Sequence, residues 1–72
     1  MGGDMMDINK IEDVVDDTWK SLIEIMEESK TDKMCGPGLL MYLSRNVNKK
    51  KFERKYNTEK DRYEYRRLGD NK

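Results

Sequence analysis

Histidine is absent from this chain, cysteine and proline occur once each, and no long apolar run is present. Each absence excludes something. Without histidine, general acid–base work would fall to carboxylates, lysines or tyrosines, and none of these stands in a recognisable constellation. The "CGPG" segment lacks the lysine and the spacing of a phosphate-binding loop. One cysteine closes no internal disulfide, and with no histidine beside it there is no zinc site. No stretch approaches the ~20 apolar residues of a membrane helix. The opening "MGGDMMD" carries acid where a signal peptide carries base, and Gly2 lacks the hydroxyl residue of a myristoylation site. The expectation is a non-enzymatic, soluble protein of a reducing, cytoplasmic compartment. No catalytic residues, metal, cofactor, small-molecule substrate or membrane attachment are expected.

Seventy-two residues make one small domain, 1–72, with residues 1–6 expected to be disordered and 69–72 frayed. A chain this short buries only roughly 60% of its unfolded surface. Here 42% of residues are charged and 35% hydrophobic, which leaves little for a core. With no disulfide or metal to add, a protein partner or a second copy is the expected supplement.

The charge is zero overall and segregated. Residues 1–32 hold ten acids and three bases, net −7, while residues 33–72 hold twelve bases and five acids, net +7. From Asp7 to about Ser29 there is no glycine or proline, and Ile8, Ile11, Val14, Val15, Trp19, Leu22, Ile23, Ile25 and Met26 share one half of a helical wheel. This predicts one long amphipathic helix with Asp7 as its cap. Its apolar arc is about 180° wide, more than the roughly 100° needed against one neighbour. The excess marks Ile11, Val15, Trp19, Leu22 and Met26 as a protein interface, with Trp19 as the anchor. The acidic face, Glu24, Glu27 and Glu28 included, reads as solvated, because no facing helix offers matching ligands.

Gly36, Pro37 and Gly38 punctuate the chain, and Pro37 suits the first turn of a short second helix, "PGLLMYLSRN". Five consecutive apolar residues, Leu39 to Leu43, leave this helix apolar on all sides and predict that it is buried, either in the chain's own core or at an interface. Cys35-Gly36-Pro37 resembles the thioredoxin active site over those three residues alone. Gly38 stands where the second cysteine would be, and an acidic helix precedes it where thioredoxins have a buried strand. Cys35 therefore reads as a small apolar residue beside a turn.

In the basic half, "KFERKY" and "RYEYRR" alternate with period two around a polar "NTEKD". Aromatics alternating with charge predict a β-hairpin. Setting Tyr56 opposite Tyr63 places Lys55 by Glu64, Arg54 by Tyr65, Glu53 by Arg66 and Phe52 by Arg67, with each favourable pair worth ~0.2–1 kcal/mol. The alternative is an all-α chain with a third, C-terminal helix, for which Thr58 and Asp61 supply a cap of capping-box spacing. The fold class is thus α+β: a long helix, a short buried helix and a hairpin.

Two functions fit. One is a protein-interaction module, a small subunit, regulator or inhibitor that docks through the apolar side of its acidic helix. The other is nucleic-acid binding, with Lys50, Lys51, Arg54, Arg62 and Arg66 on phosphates and Tyr56, Tyr63 and Tyr65 on bases. A two-stranded ribbon of this kind also fits a major groove.

Overall fold

In a computed structural model of the chain, which describes residues 6–69, Asp7 caps the first helix as expected. Its carboxylate accepts from the backbone N–H groups of Asn9 (3.1 Å) and Lys10 (3.3 Å). The helix, α1 (Ile8–Val14), then stops. The single long helix is corrected here. Asp16 accepts from both the backbone N–H (3.0 Å) and the hydroxyl (2.6 Å) of Thr18. Bonds of this local kind offer the backbone an alternative to the helical ladder.

The chain continues through a two-residue strand, β1 (Lys20–Ser21), into α2 (Leu22–Ser29). Ser21 starts α2 with a capping box: its hydroxyl accepts from Glu24 N–H (3.2 Å), and Glu24 Oε1 accepts from Ser21 N–H (2.9 Å). Lys30, in the left-handed region at φ 56°, ends α2. A 3₁₀ turn (Lys33–Cys35), capped by Asp32, leads into α3 (Gly36–Asn48) with Pro37 in its first turn.

The all-α alternative fails, because residues 52–67 form strands β2 (Phe52–Asn57) and β3 (Arg62–Arg67). All five anticipated pairs, from Phe52↔Arg67 to Tyr56↔Tyr63, occur in the antiparallel register. β1 adds to the other edge of β3, giving a three-stranded sheet of order β1-β3-β2.

One core joins these elements: Ile11 and Val15 from the α1 segment, Ile25 from α2, Leu39 and Leu43 from α3, Phe52 and Tyr65 from the hairpin. Each fully buried side chain of this kind contributes about 1.5–3 kcal/mol. Arg67 closes the end of the sheet onto α1. Its guanidinium donates to the carbonyl of Val15 (3.0 Å) and to that of Glu12, while its backbone N–H donates to Asp16 O (2.6 Å). A cation at these carbonyls suits the negative end of the α1 dipole.

The burial expected of the second helix is only partial within this chain. α3 buries Leu39 and Leu43 but leaves Leu40 and Met41 exposed. Among the described residues no helix is long and apolar enough to cross a membrane. The expected disordered and frayed ends lie outside the described residues, apart from Met6, which packs against the core, and Gly69.

Candidate nucleic-acid interface

The element order brings α2 and α3 together through a short turn and follows them with the hairpin. α3 is the middle of this arrangement. Leu39, Leu43 and Asn46 fix its inner side, and Asn46 is held by donating to Tyr42 O at 2.8 Å. At 100° per residue the opposite side presents Met41, Ser44, Arg45 and Asn48; Met41, Arg45 and Asn48 are exposed and Ser44 half-buried.

Ion pairing sorts the cations of the chain into two groups. Lys20 meets Glu28 (2.8 Å) and Asp16 (3.6 Å), Lys51 meets Glu12 (3.5 Å), and Arg66 meets Glu53 (2.8 Å). Arg62 lies between Glu64 (3.0 Å) and Glu24 (3.4 Å). Burial of Glu64 favours its neutral form, but the Arg62 and Asn57 hydrogen bonds outweigh this and hold its carboxyl below the usual carboxylate range. The others have no carboxylate within ion-pair distance among the described residues: Lys10 on α1, Lys30 after α2, Arg54, Lys55 and Arg67 on the hairpin strands, and Lys33 before α3, Arg45 on it, Lys49 and Lys50 just after it, and Lys60 in the hairpin loop. Arg45, Lys49 and Lys50 sit in a stretch, residues 33–52, that contains no acid, whereas Asp32 adjoins Lys33 and Glu59 and Asp61 flank Lys60.

Against this pattern the anticipated nucleic-acid residues divide. Lys50 belongs to the uncompensated group. Arg54, Tyr56 and Tyr63 form one exposed cluster, with the tyrosine rings edge to face at 5.0 Å and the Arg54 guanidinium 5.2 Å from the Tyr63 ring centre. Lys51, Arg62 and Arg66 are engaged in ion pairs. Tyr65 is a core residue, 2% exposed, and offers no ring to a base.

The anticipated protein interface divides too. Ile11 and Val15 are fully buried in this chain's own core and present no surface. Leu22 and Met26 are half-buried against that core. Trp19 lies against the sheet, with Lys55 Nζ and the Arg66 guanidinium each 4.6 Å from its ring centre. Such contacts are worth ~0.5–1 kcal/mol at exposed sites.

Lys33, Arg45 and Asn48 were not legible as site residues. For Arg45 and Asn48 the sequence signal is the polar spacing inside "SRNVNKK", and it acquires meaning once Leu39 and Leu43 define the inner side of α3; Lys33 carries no such signal. No group of histidine, cysteine, aspartate and glutamate among the described residues is arranged to hold a metal ion. No protein-family model, no curated protein and no solved structure matches the chain.

Proposed function

We propose that this chain is a non-enzymatic nucleic-acid-binding module that docks on duplex DNA with α3 as its reading helix. The observation that carries this reading is the uncompensated charge of Arg45, Lys49 and Lys50, on and just after the second helix of a helix–turn–helix, in a stretch, residues 33–52, that contains no acid. The order of elements and the β1-β3-β2 sheet are those of a winged helix-turn-helix, a likeness of architecture that hosts several functions. The site itself supplies the rest of the argument.

An α-helix fits the major groove, where arginine pairs with guanine, asparagine with adenine, and apolar groups meet the thymine methyl. Arg45, Asn48 and Met41 on the outer side of α3 provide one of each. Lys49, Lys50 and Lys33 flank them as phosphate contacts, which set register without reading sequence. Lys60 at the hairpin tip supplies a further contact along the backbone. The hairpin thus assists α3 rather than entering the groove as a ribbon.

Fluorescence anisotropy of a labelled duplex, titrated at two salt concentrations, tests the proposal. Binding should weaken steeply with salt, and replacing both Lys49 and Lys50 by Ala should reduce the log–log slope by about 2. Arg45→Ala should reduce discrimination between duplex sequences. Lys20→Ala, at an internally paired cation, should leave the slope unchanged. Absence of binding at low salt, or equal losses from Lys20→Ala and the double variant, would overturn it.

A further inference from the structure

One apolar surface, with Lys33 at its edge as the sole residue shared with the nucleic-acid reading, remains unassigned. Ile23 is 65% exposed, Leu40 43% and Tyr63 53%, and they lie together where the start of α2, the first half of α3 and β3 converge. Ile23 is a ridge with a hollow on either side. The first hollow, ≈ 420 Å³, is walled by Leu22, Ile23, Leu40, Tyr63 and Tyr65, with Arg62 and Glu24 at its margin. The second, ≈ 400 Å³, is lined by Ile23, Met26, Glu27, Thr31 and Lys33. Tyr63, in the wall of the first hollow, packs against Tyr56 and the Arg54 guanidinium.

We propose that a second copy of this chain docks here, the two copies related by a two-fold axis that seats the Ile23 ridge of each in the Leu40–Tyr63 hollow of the other. The charges choose this occupant. Glu27, on one side of the ridge, has no cation within ion-pair distance among the described residues, and Arg54, beyond Tyr63 on the other side, has no carboxylate. In a two-fold interface, residue i meets j while j meets i. Rotation about an axis between the Ile23 ridge and the Leu40–Tyr63 hollow therefore brings Glu27 of each copy towards Arg54 of the other. A surface that carries ridge and hollow, acid and base, side by side is complementary to itself. A nucleic acid supplies neither apolar side chains for the hollow nor cations for Glu27. The inference is independent of the duplex-binding reading, and its test contains no nucleic acid.

Sedimentation velocity of the full chain, from a few to about 500 µM, should show a monomer–dimer equilibrium that depends on concentration. Ile23→Glu places charge on an exposed residue and should leave the circular dichroism spectrum unchanged while weakening association at least about tenfold. Glu27→Arg and Arg54→Glu should each weaken the dimer, and the double variant should recover it. Three results would overturn the proposal: a monomer at every concentration, which leaves the hollow to a different protein or a small apolar ligand; a dimer that survives Ile23→Glu; or a double variant no better than either single one.

Discussion

The Tyr42 hydroxyl donates to Glu12 Oε2 at 2.8 Å and so links α3 to α1 across thirty residues of chain. Each partner alters the other. The bond from Tyr42, with help from Lys51 and Arg67, holds the Glu12 carboxyl below its ordinary value, although partial burial opposes this. Burial, then the acceptor Glu12, pushes Tyr42 up to about 12. The orientation of α3 against α1 fixes which side of α3 faces outward, so this contact lies upstream of the proposed function.

The pH dependence follows in sign. Glu12 has a lowered folded value, so its contribution is fully present above the ordinary carboxylate value of about 4.3. It is lost as pH falls through the lowered one. Because its carboxylate is more than one-third exposed, the contribution should stay below about 1 kcal/mol. Tyr42 has a raised folded value, so its contribution is fully present below about 10 and lost as pH rises towards about 12. Urea unfolding of the chain and of Tyr42→Phe across pH checks both. The variant should lose most of the acid-side part of the dependence assigned to Glu12, keeping the share due to Lys51 and Arg67, and the absorbance titration should lose its component near pH 12.

Ser21→Ala should destabilise the chain by about 0.5–2 kcal/mol, the usual cost of removing a helix cap. Ser21→Asp, which keeps an acceptor for the Glu24 N–H, should recover part of the loss. Thermal unfolding followed at 222 nm distinguishes the two variants. Equal losses would place the effect of Ser21 in its burial rather than its cap.

Leu43→Ala should cost about 2–5 kcal/mol, the range for a large-to-small change in a packed core, because Leu43 is fully buried in the one cluster that joins every layer. A domain of this size holds little stability in reserve, so the expected readout is loss of the cooperative transition. Met41→Ala, on the exposed side of the same helix, should change stability by less than about 0.5 kcal/mol.

Which parts were legible in the sequence follows from how locally each is determined. The hairpin register was legible pair by pair, because Tyr56 with Tyr63 and Glu53 with Arg66 are cross-strand neighbours set by one short loop. The break in the first helix was hidden. Apolar spacing carries on from Val15 through Trp19 to Leu22, and only the Asp16–Thr18 turn and the Ser21–Glu24 box, both side-chain bonds to nearby backbone, reveal the interruption. That break also resolves the over-wide apolar arc: the two halves of one apparent stripe belong to separate elements, and Ile11 and Val15 go to the core. β1 was illegible because two residues carry no alternation, and Tyr65 takes its core position partly from this strand. Arg45 and Asn48 were illegible for a different reason. Their exposure depends on which side of α3 the other elements cover, a tertiary fact that "LLMYL" does not reveal.

The most direct test of the central claim is an amide chemical-shift map of the full chain titrated with a duplex of mixed sequence. The account predicts the largest changes at Met41, Ser44, Arg45 and Asn48 on α3 and at Lys49 and Lys50, with smaller ones at Lys60 in the hairpin loop. The Trp19 indole, covered by Lys55 and Arg66, should stay unperturbed. Changes confined to Trp19, Lys55 and Arg66, with α3 silent, would contradict it.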